Sequence, residues 1–321
     1  METSNKNKDL RKLLNGRPLR LLIGGFPCTK FSIAQKAEDR ETQPYSGEGW
    51  ELFYNYLLAK EKFKPDFFLA ENNQSIAQAI KDEVSKLLEV NYITIDSSLV
   101  SAQTRKRVYW TNIPGIEQPE DREILLKDII ESGIAERDKA FCLDASYYKG
   151  GNLKSYFIKH RRTQIFEKIP NGRQKVTVKN NIAIIDQNEC KANLEDGTYY
   201  IRNLNVNEAS KLQTMPGDYC DCVSKTNALK CLGNGWTAEV IIHILSYLDI
   251  PKDYPIEVLS MYDGIATGRY CLEKLGYTNI TYYASEIDKY AIQVAKKNYP
   301  DIIEIGDAFS IREDDWKLQK K

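Results

Sequence analysis

Residues 256–286 read IEVLSMYDGIATGRYCLEKLGYTNITYYASE, and the order of elements in this stretch decides the fold. The apolar run 256–262 predicts a buried strand, helix spacing follows over 269–275, and 280–286 predicts a second strand. A helix over 288–298 and a strand over 302–307 continue the alternation, so the segment is an α/β unit with a parallel sheet. Gly264 permits the tight turn from strand to helix, and backbone amides at the helix start can face a ligand. The turn is not GxGxxG, so a pyrophosphate cradle is not indicated. Glu286 ends the second strand roughly 20 residues downstream, where an acid holds ribose hydroxyls in such units. Gly306-Asp307 closes the third strand. Acids at two strand ends without a phosphate loop suit an adenosine-type ligand.

Working outward, the N-terminal part repeats the alternation. LRLLIGG (19–25) predicts a buried strand, 50–63 a helix, DFFLAEN (66–72) a strand and 76–90 an amphipathic helix, followed by strands over 92–100 and 108–113. Between 114 and 200 the chain turns polar and β-leaning, with turn signals at Gly150-Gly151 and Asn171-Gly172. Helical pattern returns at 205–214 and 237–249, and Ile250-Pro251 with Pro255 reads as a linker. The expected domains are therefore 1–113, a small β-rich domain 114–200, a return segment 201–250, and the ligand-binding half 251–321.

Composition excludes several classes. With 321 residues, 42% hydrophobic and 28% charged, the chain is an ordinary globular protein, and no apolar run reaches transmembrane length. No membrane association is expected, and METSNKNKDL lacks a secretory core. Seven scattered cysteines read as reduced thiols in the cytoplasm. Lys plus Arg (45) equals Asp plus Glu (45), so any polyanion must be held by a local patch. Residues 149–179 supply one, with Lys149, Lys154, Lys159, Arg161, Arg162, Lys168, Arg173, Lys175 and Lys179 against a single acid, Glu167.

Three constellations carry possible chemistry in the N-terminal part. GGFPCTKFS (24–32) puts Cys28 on a loop at the carboxyl edge of the sheet, as a nucleophile or as a small buried thiol. Ala70-Glu71-Asn72-Asn73 ends the next strand, with Glu71 as a general acid, a partner for a ring nitrogen, or a solvated strand end. Gln103-Thr-Arg105-Lys-Arg107 enters a strand, and alternation puts Arg105 and Arg107 on one side, facing a ligand or solvent. Cys220-Asp-Cys222 with Cys231 and His243 fits no common zinc spacing, and no metal is expected.

Together these residues resemble the cytosine-C5 DNA methyltransferase family. GGFPCTKFS is similar to its catalytic PC loop, Glu71-Asn72 to its ENV motif, and Gln103-Thr-Arg105-Lys-Arg107 to QxRxR. Arg202-Asn-Leu204, Glu208 and Leu212-Gln213-Thr-Met-Pro216 resemble the RxLTxxExxxLQxFP segment, and Gly233-Asn234 the late GN motif. Tyr262-Asp-Gly264-Ile-Ala-Thr-Gly268 is similar to the cofactor loop of the animal de novo branch, with Tyr262 where the family usually has Phe. The cofactor motifs come last here, so the chain looks circularly permuted. The polar ends, 1–18 and 311–321, fit a cut in a dispensable connection.

The resemblance implies a Rossmann-like α/β fold with a target-recognition domain at 114–200. It also implies methyl transfer from S-adenosylmethionine to C5 of a cytosine flipped out of double-stranded DNA. Cys28 would add to C6, Glu71 would hold the ring's N3 and amine, Arg107 its O2 edge, and Arg105 a loop or phosphate. Tyr262, Gly264, Glu286, Ile287, Asp307, Pro27 and Asn234 would line the cofactor. Ser32, Tyr147, Lys149, Asn152, Arg161 and Arg162 are the candidates for DNA contact. A monomer in the cytoplasm of a bacterial or phage-infected cell is expected. Two alternatives stay open, an enzyme acting on transfer RNA and a catalytically inactive DNA-binding homologue.

Overall fold

The computed structural model describes residues 14–27, 30–31 and 40–318. In chain order the elements are β1 (Leu19–Gly25), α1 (Gly47–Phe63), β2 (Phe67–Asn73), α2 (Gln78–Leu88), β3 (Tyr92–Asp96), β4 (Lys106–Thr111) and a short α3 (Leu126–Ile129). A π-turn at Lys154–Ile158 precedes β5 (Gln164–Glu167), β6 (Lys175–Lys179), β7 (Ile182–Ile185), β8 (Asn188–Lys191) and β9 (Gly197–Asn203). Then come α4 (Val206–Leu212), α5 (Lys225–Asn234), α6 (Ala238–Ser246), β10 (Ile256–Met261), α7 (Thr267–Lys274), β11 (Ile280–Ser285), α8 (Lys289–Asn298) and β12 (Ile303–Glu304).

The chain forms two compact units. The first takes residues up to Ile95, Lys106–Gln118 and Ile241 onward; the second takes Asp96–Arg105 and Pro119–Val240. The second is thus larger than the polar stretch 114–200, because α4 and α5 cluster with it.

The first unit carries a seven-stranded sheet in the order β12-β11-β10-β1-β2-β4-β3. Strand β1 pairs in parallel with both β10 and β2, and β4 runs antiparallel to β2. The sequence correctly suggests a mostly parallel sheet. Helix α1 forms because Trp50, Phe53, Tyr56, Ala59 and Phe63 recur every three or four residues and share one buried face. That face and Ile80, Val84 and Leu88 of α2 cover one side of the sheet over Leu22, Phe68 and Trp110. Each such side chain contributes roughly 1.5–3 kcal/mol by leaving water. On the other side, Gly268 of α7 sits against Ile23 of β1. The sheet is therefore doubly wound. Its order reverses between β10 and β1, the kind of switch point where open α/β sheets bind ligands at the carboxyl strand ends.

The second unit holds a five-stranded sheet, β5-β9-β6-β7-β8. Strand β6 (KVTVK) alternates exposed and buried residues, with Val176 and Val178 packed on Tyr156, Phe166 and Tyr199. Asn180 and Asn181 both have positive φ (52° and 58°) in the two-residue connection from β6 to β7, as the tight hairpin requires. The expected strand 92–100 stops at Asp96, whose side chain accepts from Ser98 N and bends the chain into a 3-10 turn.

Candidate functional site

In the first unit, β1 ends in Gly25-Phe26-Pro27 at the switch point. Phe26 is buried against Phe53, Trp110 and Phe31, the last an edge-on contact at 6.4 Å. The buried Asn72 amide donates to the Phe26 carbonyl at 3.0 Å. Lys30, two residues past Cys28, is held from its other side: Glu41 N donates to Lys30 O at 2.8 Å. The Glu41 carboxylate in turn accepts from the N–H groups of Glu48 and Gly49 at the start of α1, both at 3.0 Å. Cys28 and Ser32 lie outside the described residues, but the backbone on both sides of Cys28 is anchored.

Glu71 stands beside this loop, opposite Gly25 in the β1–β2 register and opposite Tyr109 in the β2–β4 register. Arg107 faces Asn73 two pairs further on, so Glu71 and Arg107 are diagonal neighbours on one face. Their side chains form an ion pair, Nε to Oε1 at 3.0 Å. A carboxylate and a guanidinium are thus fixed together at the strand end.

Of the cofactor candidates, Tyr262, Gly264, Glu286, Ile287 and Asp307 gather at the ends of β10, β11 and β12, whereas Pro27 follows β1 and Asn234 belongs to the second unit. Glu286 Oε2 accepts from Gly264 N at 2.8 Å, and its Oε1 accepts from Ile287 N and Asp288 N at 2.7 and 2.8 Å. The carboxylate thereby ties the β10 loop to the β11 loop. Gly264 adopts φ +65°, a conformation costly for other residues, and among the described residues nothing stands within 4 Å of where its Cβ would be. Ile287 is 73% exposed and Phe309 42%, two exposed apolar side chains beside Glu286 and the exposed Asp307, with the Arg312 guanidinium over the Phe309 ring at 4.9 Å. Asp307 Oδ1 accepts from Phe309 N at 2.9 Å. Tyr262 is half-buried, packs on the α1 core and donates to Leu52 O at 2.7 Å; burial pushes its phenol up.

Beneath Gly264 lies a carboxyl that the motif reading passed over. Asp263 Oδ1 accepts from Tyr282 Oη at 2.6 Å. Burial, reinforced by the charge of Glu286, raises the Asp263 carboxyl to about 6 despite bonds from Ser260 and Tyr282. Glu304 on β12 is raised to about 7, by burial and then by the charge of Asp263.

In the second unit Arg105 is 4% exposed and precedes β4, so strand alternation does not extend to it. Its guanidinium donates to Leu143 O at 2.6 Å, Gly233 O at 3.2 Å and Gly235 O at 2.7 Å. Of the two expected roles, a loop or a phosphate, these bonds are to loop carbonyls: Arg105 is a positioning residue that braces the turn displaying the exposed Asn234 and is not a group that touches the base. Gln213, also buried, braces that turn by donating to Leu232 O at 2.6 Å. Gln103 donates to Gln213 Oε1 at 3.0 Å. Three stretches distant in sequence therefore meet in one buried polar network.

The DNA-contact candidates separate by burial. Tyr147 is a core residue, 2% exposed, donating to Thr163 O and accepting from Leu204 N, which corrects its placement as a DNA contact. Asn152 Oδ1 accepts from Ser155 N at 2.7 Å and caps the π-turn. Arg162 is half-buried and bonded to Gly150 O and Ser146 Oγ. Lys149 and Arg161 are exposed. Among the described residues no group of three His, Cys, Asp or Glu side chains is placed to hold a metal, and no helix is long and apolar enough to cross a membrane.

Comparison with known proteins adds the following. The family model described as C-5 cytosine-specific DNA methylase matches residues 3–249. Type II methyltransferase M.BspRI of Lysinibacillus sphaericus is 25% identical over 235 residues, which is 66% of this chain and 54% of that protein. The chain thus spans about half the length of the curated relative it matches. Among solved structures, a mutant of Spodoptera frugiperda DNMT2 aligns with a TM-score of 0.41 and 15% identity, over 77% of this chain and 83% of its own. A prophage-encoded protein of E. coli aligns with a TM-score of 0.40 and 14% identity, over 75% and 82%. With that family model matching well over half of its length, the chain belongs to the C-5 cytosine-specific DNA methylase family.

Proposed function

We propose that the protein methylates C5 of a cytosine flipped out of double-stranded DNA, using S-adenosylmethionine. The observation that carries this reading is the Glu71–Arg107 ion pair at the switch point, with Glu71 opposite Gly25, three residues before Cys28 in the sequence. Cytosine C5 is a poor nucleophile. A Cys28 thiolate adding to C6 forms the S–C6 bond and moves the ring electrons toward C5, turning the base into an enamine. Glu71 bonds N3 and the exocyclic amine and stabilises the adduct as charge shifts onto the ring. Arg107 holds Glu71 in place and meets the O2 edge. Once C5 carries the new methyl group, loss of the C5 proton to water or a base re-forms the C5–C6 double bond and expels the thiolate. A stacked base cannot be reached this way, so the target leaves the helix.

The residues at the ends of β10, β11 and β12 fit the cofactor. There is open space before Gly264 among the described residues, a carboxylate at Glu286, and exposed apolar surface at Ile287 and Phe309. Tyr262, Glu286, Ile287 and Asp307 would hold the adenosine, with Pro27 as a further contact. S-adenosylmethionine, when bound, supplies the electrophilic methyl group.

We also read the chain as circularly permuted. Support comes from β1 lying at the centre of the sheet, with β10–β12 supplied by the C-terminal part, and from a family match that ends at residue 249. The reading places the protein with DNA in the cytoplasm of a bacterial or phage-infected cell. Incubation with S-adenosylmethionine and duplex DNA carrying 5-fluorocytosine tests it. A covalent protein–DNA adduct is expected, lost in Cys28→Ala. An adduct with RNA alone moves the activity to RNA, and no adduct with either refutes the chemistry.

A further inference from the structure

The second unit presents two loops whose backbones are locked together while their tips carry free cationic groups. Arg162 reaches from one loop to the other, donating to Gly150 O at 2.7 Å and Ser146 Oγ at 3.2 Å. Gln164 Nε2 donates to Arg162 O, Thr163 O and Asn203 Oδ1, and Gly151 N donates to the same Asn203 oxygen at 3.1 Å. The contact leaves no room for a side chain at residue 151, where a Cβ would lie 2.3 Å from Gln164 Nε2 and 2.9 Å from Arg162 O. The base of the platform is rigid.

Its tip is the turn Lys159-His160-Arg161. A π-turn at Lys154–Ile158 leads into it, and Arg161 N donates to Ser155 O at 3.0 Å, closing the turn from behind. His160 and Arg162 have φ of 49° and 58°, a left-handed conformation that non-glycine residues rarely adopt. Strained backbone of this kind is retained where the surroundings enforce it, commonly at functional sites. Its effect here is to divide two adjacent arginines. Arg162 folds inward as the brace, and the Arg161 side chain is exposed with no hydrogen bond or ion pair among the described residues.

We infer that Arg161 is a specificity-determining residue that recognises a guanine in the DNA flanking the target cytosine, with Arg162 as its positioning residue. This rests on the proposed DNA methylation. The guanidinium of an arginine carried on an anchored turn matches the paired O6 and N7 acceptors of guanine in the major groove, the commonest arginine–base contact. A solvated lysine-type charge would serve a phosphate equally well. What favours base reading is the anchored backbone from which Arg161 springs: only its own rotamers have to be ordered on binding, which lowers the cost of a directed two-donor contact.

The test methylates a randomised duplex library with wild type, Arg161→Ala, Arg161→Lys and the surface control Lys191→Ala, which lies outside the 149–179 patch, and maps methylated cytosines by conversion sequencing. The wild-type target is expected to contain a guanine besides the one paired with the methylated cytosine. Arg161→Ala should lose that preference, with kcat/KM on the wild-type target falling about 10- to 100-fold. Arg161→Lys should retain part of it and Lys191→Ala all of it. An unchanged preference with activity lowered evenly on all sequences, and a salt slope smaller by about one, makes Arg161 a phosphate contact and overturns the inference. A target without such a guanine also overturns it. Failure of wild type to methylate any DNA, or to trap on 5-fluorocytosine, would instead remove the underlying activity and the inference with it.

Discussion

Glu71 and Arg107 meet diagonally across the β2–β4 ladder, Oε1 to Nε at 3.0 Å, with about a tenth of each side chain exposed. The pairing exists only because β4 runs antiparallel to β2 in the register that sets Asn73 against Arg107. Glu71→Gln keeps the size and one acceptor while removing the charge. The rate of adduct formation in a single turnover should fall by about 10²–10⁴, the usual range for such a group. Cofactor affinity by calorimetry should stay within a few fold; a rate close to wild type would remove Glu71 from the chemistry.

Asn72 acts one step back. Its amide holds the Phe26 carbonyl while its own oxygen accepts from Asn73 N at 2.7 Å. Asn72→Ala leaves a buried carbonyl without its donor and should cost about 1–3 kcal/mol of stability by chemical denaturation. The more telling expectation is a lowered kcat at saturating DNA with an unchanged cofactor Kd, since the loop it holds carries Cys28.

Glu286 has three backbone donors to satisfy as well as a proposed ligand to hold. Glu286→Ala should weaken S-adenosylmethionine binding at least tenfold and also lower Tm by several degrees, because the β10 and β11 loops lose their tie. Glu286→Gln should recover most of the Tm and little of the affinity. Calorimetry giving wild-type affinity for either variant would contradict the assignment.

Arg105→Lys offers a further separation. A lysine has no planar fork with which to span Leu143, Gly233 and Gly235. The expected loss is about 1–3 kcal/mol in unfolding free energy. Methylation measured at low temperature, where the variant stays folded, should be reduced far less than in Glu71→Gln.

The buried carboxyls set a pH dependence of opposite sign to common acid denaturation. Asp263 and Glu304 titrate near 6 and 7 in the folded chain, above their ordinary range near 4. The folded state therefore holds more protons between those limits, so this contribution is complete below about pH 4 and is lost as pH rises through 6 and 7. Denaturation at a series of pH values should show stability decreasing from pH 5 to 8. Asp263→Asn should flatten the slope, removing on the order of 2 kcal/mol of variation. A slope identical to wild type would show that Asp263 is already ionised in the native state.

Much of the fold is legible from periodicity. The strand 19–25 is found as read, and the expected α/β alternation at 256–298 appears as β10, α7, β11 and α8. Helix α5 escapes because Lys225-Thr-Asn227 opens it with polar residues, although Ser224 is a recognisable N-cap whose side chain accepts from Asn227 N. The direction of β4 cannot be read locally, since pairing sense depends on partners far away in sequence. The same holds for the two arginines of Gln103-Thr-Arg105-Lys-Arg107: one motif names both, but tertiary contacts send one to Glu71 and the other to Gly233 and Gly235. Asn152 and Arg162 look like ligands by type and serve the backbone instead, a distinction only the hydrogen-bond partners disclose.

The place of β1 in the sheet also bears on how the chain is made. Its neighbour β10 lies far along the sequence; the Arg20–Glu257 bond across that junction joins residues 237 positions apart. During synthesis β1 leaves the ribosome long before β10 exists, and at about 5–20 residues per second the delay is on the order of 10–50 seconds. Throughout that interval a strand destined for the middle of a sheet has an open edge, Leu21, Leu22 and Ile23 included, available to other nascent chains. Folding should be slow and dominated by this late closure. Yield in the cell should respond more to chaperone supply and growth temperature than the stability of the finished molecule would suggest.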